Sequence, residues 1–399
     1  MNVAILHPEL GIGGAERLIV DAALALQRRG HRVTIFTAHR DRARCFDATR
    51  DGTLDVRVHG GRLPLHAAGR LRAPLAIARM LALGAAAGRQ PGPLDAVFCD
   101  TVANVIPLLR HRLRAPIVFY CHFPDRLLTP ARRGWYRWYR IPLDRWEAAG
   151  LRRADRVLVN SAFTAAVFRD TFPDLGAPQV LHPGVDCDGQ ADGTASPAAS
   201  LTVVALGRIV PEKNLALALE AYARVRELVP PAVFAPTRLI IAGGYDARLR
   251  ESRMALAALQ TRIAALGLGA QVTLRCSPDD AERRALLASA RCVVYTPARE
   301  HFGYVPLEAM AAARPVLAAD AGGPAETVVD GETGFLRPPN PAAFAEALRR
   351  LLTEPDTADR LGRAGRARVE SRFSLARFGA ELEALLREVT THKVGVPPP

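Results

Sequence analysis

The sequence predicts an α/β fold of two Rossmann-like halves facing each other across a cleft. Three observations carry this expectation. Short β-branched or aromatic runs alternate with longer helical patterns, which implies parallel βαβ units. The alternation breaks over Asp186–Ser200 and restarts at Leu201. The chain has 399 residues, 49% hydrophobic and 23% charged, enough to bury two cores and far from a disordered composition.

In the first half, Asn2–His7 reads as a buried strand, Ala15–Arg29 as a helix and His31–Thr37 as the next strand. Further strands are expected at Ala96–Asp100, Ile117–His122 and Arg156–Asn160. The Leu/Ala-rich segment Leu63–Gly88, with sparse arginines, suits either a core helix or an interfacial one. Residues 186–200, DCDGQADGTASPAAS, have the composition of an interdomain linker. The second half follows with strands at Leu201–Leu206, Arg238–Ala242, Gln271–Arg275, Arg291–Thr296 and Pro315–Ala319, and a helix over Leu215–Leu228. A terminal helix near Leu375–Val389 can cross back onto either half, and the tail VGVPPP should fray. The expected division is a domain at 1–185, a linker at 186–200, a second domain at 201–375 and a C-terminal helix and tail at 376–399.

Composition excludes several classes. The longest apolar stretches are cut by Arg79, Arg314 and Asp320, short of the ~18 uninterrupted residues that a spanning helix needs. Met1–His7 runs directly into a strand pattern with no basic region of a signal peptide before it. The six cysteines are scattered without a C-x-x-C pair, which argues against zinc and a disulfide framework and for a reducing compartment. The net charge is +13, from 53 Lys+Arg against 40 Asp+Glu, and only Lys213 and Lys393 among those cations are lysines. Residues 1–185 hold 27 cations against 15 acids, whereas the remainder holds 26 against 25. The excess sits in the first half and points to a polyanionic or membrane-surface partner there.

Five segments could carry chemistry. HPELGIGGAER opens a helix after the first strand, so Gly13 and Gly14 could bring backbone N–H groups to an anion, or simply form a tight turn. It is not the G-x-G-x-x-G of dinucleotide sites. ALGRIVPEKN places Arg208 and Lys213 on either side of a loop between a strand and a helix, which suits a diphosphate. In a chain that otherwise uses arginine, Lys213 suggests a compact point charge. REHFGYVPLE offers Glu300 in a loop and Glu308 in the following helix, able to accept hydrogen bonds from sugar hydroxyls, or to complement the helix dipole. YCHFPD ends a strand with His122, a candidate donor or proton carrier or a structural histidine. The stretch after it, RLLTPARRGWYRWYRIPLDR, interleaves arginines with aromatic rings, which suits a membrane interface or nucleic-acid stacking. The D-x-D spelling Asp186–Asp188 lies in the linker and reads as a turn rather than a metal site.

GGAER, GRIVPEKN and the E-x7-E of EHFGYVPLE, in this order and followed by GGPAETVVDGETGFL, resemble the retaining GT-B glycosyltransferases of family 4. Longer segments, HPELGIGGAERLIVDAALAL, FYCHFPDRLLT, VNSAFTAAVF, IIAGGYDARL and YTPAREHFGYVPLEAM, are similar to the α-1,3/1,6-mannosyltransferases of eukaryotic asparagine-linked glycosylation. The resemblance implies a GDP-mannose donor, a dolichyl or other polyprenyl diphosphate-linked oligosaccharide acceptor, and α-1,3 then α-1,6 linkages. It also implies work beside other glycosyltransferases of the pathway on an anionic membrane, the cytosolic face of the endoplasmic reticulum. For a bacterial chain the place would be the inner face of the cytoplasmic membrane. Eukaryotic members carry a strongly hydrophobic segment where this chain has the Arg-punctuated Leu63–Gly88, so attachment is expected to be peripheral.

Residue by residue, the resemblance places the diphosphate on Arg208 and Lys213 with help from Gly13 and Gly14, and the ribose on Glu308. The transferred mannose falls near Glu300, Gly303 and Tyr304, and His122 falls on the acceptor side. Asp125, Arg132, Arg133, Trp135 and Trp138 follow on that side and toward the membrane. No obligatory metal or cofactor is expected. The catalytic candidates are thus Glu300, His122, Arg208 and Lys213, in a front-face reaction whose leaving diphosphate takes the acceptor proton. Other readings are a family 4 enzyme with a bacterial lipid or polysaccharide acceptor, a sugar-nucleotide epimerase, and a basic nucleic-acid-binding protein. The E-x7-E and phosphate loop weigh against nucleic acid as a partner.

Overall fold

The computed structural model describes residues 1–42, 45–61, 72–128, 135–187 and 200–394. Most of the expected linker (188–199), the end of the tail, Arg132 and Arg133 lie outside the described residues, as do the side chain of Trp135 and the first part of Leu63–Gly88. The chain divides into two compact units, Met1–Gly184 with Leu375–Pro399, and Val185–Ser374.

The first unit runs β1 (Asn2–Leu10), α1 (Gly14–Arg28), β2 (Arg32–Arg40), β3 (Asp55–Val58), α2 (Arg72–Ala87), β4 (Ala96–Asp100), α3 (Ile106–Arg112), β5 (Ile117–Cys121), α4 (Asp125–Leu128), α5 (Trp135–Arg152), β6 (Arg156–Val159), α6 (Ala162–Thr171) and β7 (Gln179–Val180). Its seven strands are all parallel, in the order β3-β2-β1-β4-β5-β6-β7. Helices cover both faces, which is why Val3–Leu6 of β1 reads as an unbroken apolar run. Val3 and Ile5 pack into one core with α1, Ala4 and Leu6 into the other with α2 and α3.

The second unit runs β8 (Thr202–Leu206), α7 (Leu215–Leu228), α8 (Pro231–Phe234), β9 (Arg238–Gly243), α9 (Arg250–Ala265), β10 (Val272–Cys276), α10 (Asp280–Ser289), β11 (Cys292–Tyr295), α11 (Tyr304–Ala311), β12 (Val316–Ala319), α12 (Pro324–Thr327), β13 (Gly334–Arg337), α13 (Pro341–Thr353) and α14 (Pro355–Arg372). Its sheet is parallel with order β10-β9-β8-β11-β12-β13. The capping box of Asp279 and Glu282 starts α10, satisfying two otherwise orphaned N–H groups.

The last helix, α15 (Leu375–Val394), belongs to the first unit although it follows the second in sequence. Phe378, Leu382 and Leu386 join the core beneath α1, each burial contributing about 1.5–3 kcal/mol. Gly379 lets the helices approach closely, because a Cβ there would lie 2.8 Å from that of Ala25. Glu383 of α15 pairs with Arg29, and His31 Nε2 lies 3.0 Å from its other oxygen.

In each sheet the strand order reverses once, between β1 and β4 and between β8 and β11. The crevice outside the carboxyl ends of the strands at such a reversal is where open α/β sheets bind ligands.

Candidate functional site

In the second unit, the residues singled out by sequence gather at this reversal. Arg208 leaves the end of β8 and is exposed. It forms no ion pair among the described residues. The chain then makes a tight turn at Pro211–Lys213, and Asn214, in the left-handed region at φ 48°, delivers Lys213 to the start of α7. Asparagine tolerates this conformation better than most residues, which accounts for the Lys-Asn pair.

Lys213 Nζ donates to Glu300 Oε2 in an ion pair. Tyr295, the last residue of β11, donates its hydroxyl to the same carboxylate oxygen at 2.5 Å. Thr296 Oγ1 donates to the Lys213 carbonyl at 2.7 Å, so the loops after β8 and β11 are tied at side chain and backbone. Burial works to raise the Glu300 carboxyl, but the Lys213 ammonium and the two hydrogen bonds outweigh it and hold the group below the usual carboxylate range. Burial, reinforced by Glu300, pushes the Tyr295 phenol well up, so it serves as a donor.

Glycines shape the rest. Gly303 caps α11 at φ +88°, a conformation few side chains adopt. Gly322 has φ +66°, and a Cβ there would stand 2.3 Å from the Glu300 carbonyl oxygen. Tyr304 opens α11 with its ring 5.8 Å from that of Phe302. Glu308, a turn later, is paired with Arg283 of α10 through Oε2. It is close enough to Tyr295 to act on its proton affinity.

In the first unit, His122 follows β5 and its Nε2 lies 2.9 Å from Asp100 Oδ2. Asp100 is the last residue of β4 and fully buried. Its other oxygen lies 2.7 Å from Nδ1 of His7, which is buried on β1. Burial disfavours a charged His7, but the Asp100 carboxylate, helped by Glu16, raises the imidazole above its ordinary value. Burial likewise works against an ionised Asp100, yet the two histidines hold it below the usual carboxylate range. Asn160 fixes the loop by donating to the His122 carbonyl at 3.1 Å.

Gly13 and Gly14 stand at the N-terminus of α1, and a Cβ on Gly13 would lie 2.3 Å from a Glu16 carboxylate oxygen. That position therefore already faces a carboxylate. Asp125 begins α4 and accepts from Arg140 at 2.6 Å, while its own N–H donates to Glu147 at 2.9 Å. Trp138 is 76% exposed, as are roughly half of Leu127 and Leu128 on α4. No helix among the described residues is long and apolar enough to cross a membrane. No cluster of three or more His, Cys, Asp or Glu side chains among them is placed to hold a metal ion.

Sequence reasoning alone does not reach His7, Asp100, Arg283 or Tyr295. A carboxylate closing the apolar strand AVFCD and a histidine inside NVAILHP were the signals available for two of them.

The family models for Glycosyltransferase Family 4 and for Glycosyl transferases group 1 match residues 12–188 and 191–368. The chain is 42% identical over 402 residues to the human α-1,3/1,6-mannosyltransferase ALG2, covering 98% of this chain and 95% of the relative. The ALG2 of Rhizomucor pusillus is 40% identical over 420 residues, covering 98% and 92%. The chain belongs to the ALG2 family of α-1,3/1,6-mannosyltransferases. It is a glycosyltransferase, as the resemblance implied. The fold of this ALG2-family chain is that of GT-B enzymes. Sucrose-phosphate synthase of Thermosynechococcus elongatus superposes with a TM-score of 0.78 at 23% identity, covering 98% of this chain and 99% of that one. HepE of Anabaena, in complex with UDP and glucose, superposes with 0.75 at 22% identity, covering 97% and 99%.

Proposed function

We propose that this chain transfers mannose from GDP-α-mannose to a lipid diphosphate-linked oligosaccharide, making an α-1,3 and then an α-1,6 linkage in N-glycan precursor assembly. The observation that carries the site assignment is the pairing of Lys213 with Glu300, with Arg208 exposed in the loop that leads to Lys213, at the strand-order reversal of the second sheet. In this reading Arg208 and Lys213 receive the diphosphate and stabilise the charge that grows on it as the glycosidic bond breaks. Glu300 places both of its donors on Oε2, which leaves Oε1 to accept from a mannose hydroxyl. Gly303 and Tyr304 line the sugar side, and Glu308, oriented by Arg283, takes the ribose hydroxyls.

Retention of configuration follows a front-face course, with the departing diphosphate taking the acceptor proton. A double displacement would need a nucleophilic carboxylate at the anomeric carbon, whereas Glu300 holds the ammonium and phenol donors on Oε2 and gives Oε1 to a mannose hydroxyl in this reading. The first unit takes the acceptor, with His122 at the reacting end. The basic surplus of that half, together with exposed Leu127, Leu128 and Trp138, supports peripheral attachment to an anionic membrane, the cytosolic face of the endoplasmic reticulum. A panel of nucleotide sugars offered with Man-GlcNAc2-lipid diphosphate tests the reading, with linkage analysis of the product. Turnover with GDP-mannose and α-1,3 followed by α-1,6 product is expected; transfer from another donor, or none, would overturn it.

A further inference from the structure

We propose that Asp100 is a positioning residue for glycosyl transfer, holding His122 with its Nε2–H turned inward so that Nδ1 is presented as an acceptor to a sugar hydroxyl. The inference rests on the reading of the first unit as the acceptor side. It comes from the three-residue array that spans β1, β4 and the end of β5. One carboxylate, with no exposure to solvent, meets an imidazole on each oxygen, His7 at 2.7 Å and His122 at 2.9 Å.

The two histidines differ in a way that assigns their tasks. His7 is 2% exposed and lies where no substrate could touch it, whereas the His122 side chain keeps 21% of its surface. His122 Nδ1 has no hydrogen-bond partner among the described residues. An ionised carboxylate only accepts, so the nitrogen facing it must carry a proton. In a neutral imidazole the outward nitrogen is then the lone-pair nitrogen. Asp100 thereby selects the tautomer of His122, and the Tyr120 ring, 5.1 Å from that of His122, limits its swing. His7 supplies the inner counter-charge that lets the carboxylate stay ionised without solvent. Glu16 of α1 also acts on His7, favouring the imidazolium.

The substitution Asp100→Asn separates orientation from packing. Its shape is nearly that of the acid, but its carbonyl must serve His7, which leaves the amide NH2 facing His122 Nε2. The proton of His122 is then expected on Nδ1, which converts the outward acceptor into a donor.

The test combines histidine 15N spectra at mildly alkaline pH, assigned with His122→Gln, and steady-state transfer from GDP-mannose. The wild-type protein should show the Nε2–H tautomer at His122 and Asp100→Asn the Nδ1–H tautomer. Asp100→Asn should lose about tenfold to a hundredfold in kcat/KM, the scale of one charge-assisted hydrogen bond. GDP binding should be unchanged, and adding His122→Ala to Asp100→Asn should cost little more, because both remove the same interaction. Wild-type turnover in Asp100→Asn, or an Nδ1–H tautomer at His122 in the unmodified protein, would overturn the proposal. The wild-type spectrum needs only His122→Gln for its assignment and no substrate, so it stays decisive if Asp100→Asn fails to fold or if GDP-mannose is not the donor.

Discussion

Lys213 and Glu300 stand 87 positions apart in the chain, yet the ammonium of one donates to the carboxylate of the other at the reversal point of the second sheet. In the proposed reading, the pair holds a cation in place before any diphosphate arrives. Arg208, exposed just after β8, is unencumbered by a carboxylate among the described residues. A preorganised positive charge of this kind acts on charge that develops during reaction, rather than on ground-state binding alone.

Tyr295→Phe removes one of the two donors to Glu300 and leaves the ring. The expected effect is a fall of about fivefold to tenfold in kcat/KM with little change in fold, since one hydrogen bond is worth about 1 kcal/mol net. Steady-state kinetics beside thermal melting checks this. A wild-type kcat/KM would remove Tyr295 from the site.

Gly322→Ala forces a side chain into φ +66° and against the Glu300 carbonyl. We expect a loss of about 1–3 kcal/mol in stability and a raised KM for the donor sugar, because Glu300 must move. Denaturant unfolding and donor titration together read both effects. An unchanged melting point would show that this contact is not tight.

The pH response of the first unit offers a third test, at Glu147. It is buried, and its Oε2 has no hydrogen-bond partner. Burial, with the nearby Asp125 and Asp144 charges, pushes its carboxyl up to about 7. A carboxyl raised on folding favours the protonated state, so folding stability is expected to decline as pH rises from about 4.5 toward 7 and then level off. Glu147→Gln should flatten that decline and match or exceed the wild-type protein in urea midpoint at pH above about 7. A variant that is less stable there would contradict the assignment.

Glu383 gives the opposite sign. Hydrogen bonds from Arg387 and Arg29, with the His31 ring nitrogen 3.0 Å from the carboxylate, hold its carboxyl down at about 2. The stability it contributes is present above its unfolded value near 4.5 and is lost as pH falls toward about 2. Acid titration of Glu383→Gln should therefore show a shallower loss of stability over that window, with α15 already loosened from α1 at neutral pH. Amide exchange in α15 measures the loosening directly.

Much of this was legible in the sequence. Parallel strands buried on both faces produce the apolar runs that mark β1, β4, β5, β8, β9 and β11. Three strands are not legible in the sequence for physical reasons: β3 is half exposed and lacks an apolar run, β7 has two residues, and β13 sits among Gly, Thr and Pro in a turn-like setting. Lys213 and Glu300 stood out as loop residues after strands. Their common partner Tyr295 reads as an ordinary strand aromatic, and Asp100 becomes meaningful only when β1, β4 and β5 lie side by side. The C-terminal helix shows the same limit: its amphipathic pattern identifies a helix, but the burial of Phe378, Leu382 and Leu386, the fit of Gly379 against Ala25 and the Glu383 ion pair select the first unit.

The measurement that tests the account most directly is Lys213→Ala, assayed for both turnover and GDP affinity. If Lys213 stabilises the leaving diphosphate, kcat should fall about a hundredfold to a thousandfold while the Kd for GDP rises less than about tenfold. A weakened Kd with kcat intact would contradict it, showing that the ammonium only binds the ground state.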